Sequence, residues 1–262
     1  MTSENHADQV TFCVCTYNSA LTLERCLSSI RSISDSTILM VDHHSTDDTL
    51  QIARKFTDQV IMEDVSLGYA RQACLDYVKS GFIVFVDGDA EIIRKTFLKE
   101  ALQILSSQKY GAVVGMTSTQ KLRLGLPASL LVLRKSDFEG KVIPPDIDAR
   151  ETFFIMRRLK EKHLRAFYIP DAIVHRSQYW RFKPEWIGAW TRRLPSSRIY
   201  QIAYAGFTIA LISLNTGKIR NVAGSGLTYL RFLRGFMNSG KWLKMERIPG
   251  KERESFIGGK QV

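Results

Sequence analysis

The stretch Phe82-Ile83-Val84-Phe85-Val86-Asp87-Gly88-Asp89 decides the fold. Its continuous apolar run predicts a strand covered on both faces, as in a parallel sheet sandwiched by helices. At its exit stand two carboxylates separated by one glycine, and in open α/β sheets ligands sit outside the carboxyl ends of the strands. A glycine lets a ligand approach the backbone closely. Paired carboxylates there suit a hard divalent cation, Mg²⁺ or Mn²⁺, shared with substrate phosphates. The plain alternative is a turn, since Asp-Gly is a common turn dipeptide.

On either side of this strand, short β-branched runs alternate with amphipathic ones. Strands are predicted at residues 10–15, 37–41, 59–62 and 112–115, and helices at 20–30, 45–55, 68–78 and 95–105. This alternation predicts an α/β fold with a mostly parallel sheet. After residue 115 the pattern loosens. A strand is predicted at 130–133, a proline-containing loop at 140–148, a helix at 151–162, and two short strands, 167–169 and 173–175, around Pro170. Beyond 180, aromatic residues and arginines interleave (Trp180, Arg181, Trp186, Trp190, Arg192, Arg193). An apolar run follows at 199–214, then Lys218 and Arg220, and a helical run at 227–237 with Arg231 and Arg234. Two domains are expected, 1–180 and a basic, apolar helical extension over 181–262.

Composition sets the limits. With 262 residues, 45% of them hydrophobic, the chain can bury a core without staples. The net charge of +11 is uneven: residues 150–262 carry 22 Lys/Arg against 7 Asp/Glu, a net of +15, leaving −4 for residues 1–149. An acidic first part can hold cations, and a basic second part meets anions. The four cysteines, Cys13, Cys15, Cys26 and Cys74, contain no CxxC pair and lie in core-like segments, which reads as reduced thiols rather than a disulfide or zinc framework. The polar start, MTSENHADQ, reads as lacking a secretory signal, and a cytoplasmic location is expected.

Two further constellations could carry chemistry. Asp42 ends a predicted strand and precedes His43-His44-Ser45-Thr46-Asp47-Asp48. Asp47 or Asp48 can cap the next helix, whereas Asp42 lies too early for that and is better placed to accept hydrogen bonds from a base or ribose. His43 and His44 could ligate a metal, although adjacent strand residues diverge. The third constellation spans Pro144 to His175 and holds Asp146, Asp148, Glu151, Asp171 and His175. Glu151 can serve as a helix-dipole partner and His175 as a structural histidine.

Taken in order, these segments resemble the family 2 glycosyltransferases of GT-A fold. Thr11 to Asn18 is similar to the family's first strand with its Thr/Ala-Tyr-Asn end. Val41 to Thr49 resembles its VDDGSTDDT motif, and Gly68-Tyr69-Ala70-Arg71-Gln72 its GxARN helix start. Asp87-Gly88-Asp89 matches its DxD, Leu133 to Phe138 resembles its acceptor-side segment, and Glu151-Thr152, Arg157 and Tyr168 to His175 resemble its ED…R…PdA…H module. The departures are His43-His44 for Asp-Gly, Gln72 for Asn, and Arg150-Glu151 for Glu-Asp. The resemblance implies an inverting transfer from a nucleotide-diphosphate sugar, most often a UDP-sugar, to an acceptor hydroxyl. It implies Glu151 as base, with Asp148 in reserve. Asp89, Asp87 and His175 would bind Mn²⁺ or Mg²⁺. Thr16, Tyr17, Asn18, Asp42, Arg71, Asp87, Gly88 and Asp89 would line the nucleotide-sugar site.

The run at 199–214 falls short of the roughly 20 apolar residues that span a bilayer. Its basic and aromatic flanks suit a membrane interface, so a lipid-linked acceptor and a peripheral position on the cytosolic membrane face are expected, with a buried helix or a span as alternatives. Competing readings are a sugar-1-phosphate nucleotidyltransferase, a catalytically degenerate nucleotide-sugar binder and a basic nucleic-acid-binding protein. Thr16 to Ala20 lacks the glycine-rich phosphate loop of the first. No nucleic-acid-binding pattern is evident for the last, so no nucleic-acid partner is expected. Neither a P-loop nor GxGxxG occurs.

Overall fold

A computed structural model describes residues 9–118, 126–176, 184–216 and 219–244. Trp180, Arg181 and Lys218 lie outside these described residues. The chain divides into two compact units, Met1–Tyr179 and Trp180–Val262.

The first unit is a layered α/β structure. Strands β1 (Val10–Thr16), β2 (Thr37–Asp42), β3 (Val60–Met62) and β4 (Phe82–Asp87) alternate with helices α1 (Ala20–Arg31), α2 (Thr49–Ala53) and α3 (Leu67–Tyr77). Then follow β5 (Ala90–Ile92), α4 (Phe97–Leu105), β6 (Tyr110–Thr117), β7 (Leu130–Arg134), α5 (Thr152–Glu161) and β8 (Arg165–His175). The described strands form one sheet in the order β3-β2-β1-β4-β7-β6-β8-β5. Strands β1 to β4 pair in parallel, as do β6 and β8, while β7 runs antiparallel to both its neighbours. The predicted α/β class, with a mostly parallel sheet flanked by helices, holds.

The chain passes from β1 outward to β2 and β3, then returns to the other side of β1 as β4. That reversal opens a crevice at the strand ends between β1 and β4. Register puts Cys15 beside Asp87 and Thr16 beside Asp42, so three motif segments end at one edge. Apolar side chains of β1, β4, α1 and α4 interleave beneath them, among them Phe12, Val14, Leu23, Leu27, Val84 and Phe97, all buried. The thiols of Cys13, Cys26 and Cys74 are buried and Cys15 is partly so, none in a disulfide.

Three predicted elements differ. The helix expected at 45–55 shrinks to α2, because Asp47 takes the Thr49 N–H (3.0 Å) and holds residues 45–48 as a loop. The two strands expected around Pro170 are one strand, β8, with an irregularity opposite Gly115–Thr117. Pro170 lacks an N–H and falls within that irregularity, where Asp171 adopts a φ of +53°, so the ladder resumes at Ile173. Strand β5 was not anticipated; it pairs with the end of β8, with Ala90 opposite His175.

The second unit is helical: α6 (Pro184–Arg193), α7 (Arg198–Thr216), α8 (Ile219–Met237) and α9 (Ser239–Lys244). Helices α6 and α8 cross backbone against backbone. A Cβ on Gly235 would clash with the Glu185 carbonyl oxygen, and one on Gly188 with that of Phe232. Glu185 also accepts from Arg231 at 2.6 Å. No helix among the described residues is long and apolar enough to cross a membrane.

Backbone cannot yield as a flexible side chain can, so even one methyl at Gly235 must force α6 and α8 apart. Such overpacking costs about 1–3 kcal/mol. In G235A, limited proteolysis should cut within 184–244 while 9–176 stays protected. An unchanged digestion pattern and melting temperature would refute the close crossing.

Candidate active site

The site is built at the ends of β1, β2 and β4. Asp42 closes β2 and has no exposed surface. Its Oδ2 accepts from Thr16 Oγ1 (2.8 Å) and Ser45 Oγ (2.7 Å), and its Oδ1 from the Ser45 N–H (2.7 Å). Asp42, expected to meet a base or ribose, is engaged in this structure by Thr16 and Ser45. Its oxygens face inward onto loop donors, and it ties the exit of β1 to the turn after β2. Asn18, at φ +48°, reinforces that tie: its N–H donates to Ser45 Oγ (2.8 Å) and its side-chain oxygen accepts from the Thr46 N–H (2.9 Å). Asp47 bonds the Ala20 N–H at the start of α1 (3.1 Å) as well as Thr49. Although desolvation opposes the charge, these hydrogen bonds, Thr49's first, hold the Asp47 carboxyl below its ordinary range.

What faces outward here is Tyr17, which meets the His43 ring edge-on at 5.4 Å. His43 Nδ1 lies 2.7 Å from Glu63 Oε1, and Glu63 Oε2 accepts from the Val65 and Ser66 N–H groups. His43 is thus held by a carboxylate twenty residues away in sequence. Neither His43 nor His44 joins a metal cluster among the described residues.

Arg71, expected to line the nucleotide-sugar site, has a side chain only 4% exposed that lies between two carboxylates. Its Nη2 donates to Asp87 Oδ1 at 2.9 Å. Its Nε lies 3.1 Å from Glu151 Oε1, within ion-pair range but out of line for a hydrogen bond. The guanidinium also covers the Phe85 ring at 5.1 Å. Burial alone would lower its pKa; Glu151 and then Asp87 outweigh that and raise it above the usual arginine value. One buried cation therefore joins the first carboxylate of Asp87-Gly88-Asp89 to Glu151.

Glu151 is at the N-cap position of α5 but makes no side-chain cap hydrogen bond. The preceding loop is clamped onto α3, which sets where Glu151 stands. The Ser66 side chain caps α3 at Tyr69 and donates to the Pro145 carbonyl; Asp148 Oδ1 accepts from the Leu67 N–H (3.1 Å). The Gly68 N–H donates to the Ile147 carbonyl at 2.6 Å, and a Cβ there would meet the Pro144 and Ile147 carbonyls at 2.6 and 2.7 Å. Gln72 accepts from the Val142 and Ile143 N–H groups and donates to the Gly140 carbonyl. A shorter amide would have less reach, which gives a physical reason for glutamine here. Asp148, the reserve base, is engaged in this clamp.

Asp89 follows the tight passage at Gly88, whose Cβ position is 3.3 Å from Thr16 Cγ2. His175 Nδ1 stands 3.2 Å from Asp89 Oδ1, and the Arg176 N–H donates to the Asp89 carbonyl. The hydrogen bond to Asp89 raises the pKa of the exposed His175 above 6.5, although partial desolvation opposes the charge. The expected metal set of Asp89, Asp87 and His175 does not converge as one cage: no group of three His/Cys/Asp/Glu side chains does so among the described residues. Asp87 leans on Arg71, while Asp89 and His175 form a pair. A carboxylate oxygen beside an imidazole still fits a cation that completes its shell with water and substrate oxygens.

Sequence reading missed Glu63, Gln72 and Gly68 in these roles. Ser66 did carry a signal, being a serine just before a helical run. Glu63 carried none.

The Glycosyl transferase family 2 profile matches residues 11–164, and the chain belongs to that family. An uncharacterized protein of Mycobacterium tuberculosis (strain CDC 1551 / Oshkosh) is 34% identical over 114 residues, covering 41% of this chain and 34% of the relative. An uncharacterized glycosyltransferase of Rickettsia bellii (strain RML369-C) is 27% identical over 145 residues, covering 55% and 45%. The chain thus spans less than half the length of these relatives. Among solved structures, glucosyl-3-phosphoglycerate synthase from M. tuberculosis, in complex with Mn²⁺, uridine diphosphate and phosphoglyceric acid, superposes with a TM-score of 0.52. Its identity is 14%, with 65% of this chain and 72% of that one covered, a likeness of fold.

Two outcomes follow. R71M leaves Glu151 and Asp87 facing each other unneutralised. Removing one partner of a buried ion pair costs about 3–5 kcal/mol, and the low end applies because Asp87 is about one-third exposed; urea denaturation should read that loss. In the metal-free protein, NMR should find His175 titrating above 6.5, and D89N should bring it down. The sign is that of a raised pKa: the pairing stabilises fully below about 6.5 and is lost as pH rises through the folded value.

Proposed function

We propose that the first unit transfers a sugar from a nucleotide-diphosphate donor, a UDP-sugar before others, to an acceptor hydroxyl with inversion. The observation that carries this reading is the Asp87–Arg71–Glu151 chain. It joins the carboxylates at the crevice between β1 and β4 to the carboxylate that opens α5. M. tuberculosis glucosyl-3-phosphoglycerate synthase, crystallised with Mn²⁺ and UDP-glucose, supports the donor class and the metal.

In this reading the nucleoside rests against Tyr17 and His43, the exposed pair at the ends of β1 and β2. Thr16, Asn18 and Asp42 shape the wall behind it. Asp87, Gly88 and Asp89 border the diphosphate, and Asp89 and His175 would hold Mn²⁺ or Mg²⁺. A cation bound there neutralises charge that grows on the departing diphosphate. Glu151 takes the proton from the acceptor hydroxyl. The acceptor oxygen then bonds to the anomeric carbon from the face opposite the diphosphate, and the bond from that carbon to the diphosphate oxygen breaks, releasing the nucleoside diphosphate. Arg71, 3.1 Å from Glu151 Oε1, holds that carboxylate at the crevice. A single displacement needs no enzyme nucleophile. The basic C-terminal unit favours a lipid-linked acceptor at a membrane surface.

A panel of nucleoside diphosphates with and without Mn²⁺ tests the donor site by thermal shift. One diphosphate should stabilise the protein in a metal-dependent way, by about 2.7 kcal/mol at 100 times its Kd. D89A should abolish that shift. E151Q should keep the shift and lose transfer by about 10²–10⁴-fold. An E151Q protein with full activity would move the base role to Asp148, and retained binding with no transfer in the parent protein would indicate a degenerate nucleotide-sugar binder.

A further inference from the structure

Residues 186–245 contain nine Lys/Arg and no Asp or Glu. Within that acid-free segment, α8 has two unlike faces. Phe232, Gly235 and Phe236 are buried, with Gly235 against the backbone of α6. On the opposite face Leu227, Leu230 and Met237 are each more than 60% exposed. Arg231 and Arg234, also exposed, share their stripe. The positions 227, 230, 231, 234 and 237 recur at three- and four-residue steps, which places them on one side of a helix. Helix α7 repeats the feature without charge: Tyr200, Ala203, Phe207 and Ala210 are exposed at steps of three and four. Tyr200 stacks on Tyr204 at 5.8 Å.

We infer that the exposed faces of α7 and α8 dock the protein flat on an anionic lipid bilayer. The inference deepens the proposed function by giving its lipid-linked acceptor a surface. Charge selects the occupant. A second copy would bring the same net-basic surface, in which Glu185 pairs with Arg231 while Arg234 and Lys241 add charge, and be repelled. A nucleic acid would satisfy the arginines and leave Leu227, Leu230 and Met237 in water. An acidic bilayer interface satisfies both: apolar side chains enter the acyl boundary, arginines reach the headgroups and tyrosines sit between. Helices α7 and α8 have 19 residues each, but neither is apolar enough to cross, so they lie in the plane.

Co-sedimentation of the full chain with vesicles tests this without any nucleotide. Vesicles of phosphatidylcholine with phosphatidylglycerol should bind it, vesicles of phosphatidylcholine alone should bind far less, and salt should weaken binding. Replacing Arg234 and Lys241 together by glutamine should weaken binding by about thirtyfold. L230E/M237E should abolish it, and its metal-dependent diphosphate shift should match the parent's, which shows that the first unit is intact. L227Q/L230Q, a milder pair, should weaken binding in the same direction. Binding that ignores lipid charge, persists in L230E/M237E, or is outcompeted by duplex DNA would overturn the inference. Because the diphosphate shift needs no lipid and vesicle binding needs no donor, either proposal can fail while the other stands.

Discussion

A buried arginine cannot shed its charge, and that constraint organises this molecule. Arg71 stands on α3 with almost no exposed surface, so carboxylates must come to it. Asp87 comes from the end of β4, and Glu151 from the start of α5. At low effective dielectric such pairs interact strongly, and leaving either carboxylate alone would be costly. The geometry that satisfies Arg71 therefore also brings together the two ends of the crevice.

The second requirement is that the long irregular segment before α5 be held in place. Loops have few internal hydrogen bonds to fix them, so their position depends on what they touch. Here α3 supplies the contacts along its first turns. Ser66, the Leu67 and Gly68 N–H groups and Gln72 each engage the segment of residues 140–148. The absence of a side chain at Gly68 lets two carbonyls approach within a distance that a Cβ would forbid. One helix thus carries both the cation that recruits Glu151 and the groups that fix the chain leading to it.

The C-terminal unit follows a different logic. The crossing of α6 and α8 depends on glycines, where a Cβ would meet backbone. Large apolar residues are instead spread between the buried and exposed sides of α8. Leu227, Leu230 and Met237 stand exposed beside Arg231 and Arg234, while Phe232 and Phe236 are buried.

The class of sheet and most of its elements were legible in the sequence alone. Those are local properties: apolar runs, their spacing, and the carboxylates at strand ends can be read within a dozen residues. Phe82–Asp87 and Leu67–Tyr77 lie within a residue of where periodicity put them. Side-chain partners were not local. Asp42 was read as a ligand contact from its place at a strand end, and Arg71 from the resemblance of residues 68–72 to a family helix start; in the fold both side chains turn inward. Thr16, Ser45, Asp87 and Glu151 determine their directions, and all except Ser45 lie more than fifteen residues away from the residue they hold. The pairing of His43 with Glu63 and the reach of Gln72 across to residues 140–143 were hidden for the same reason. A hydrogen bond depends on distance and angle in space, which the spacing along a chain does not record until the chain is folded.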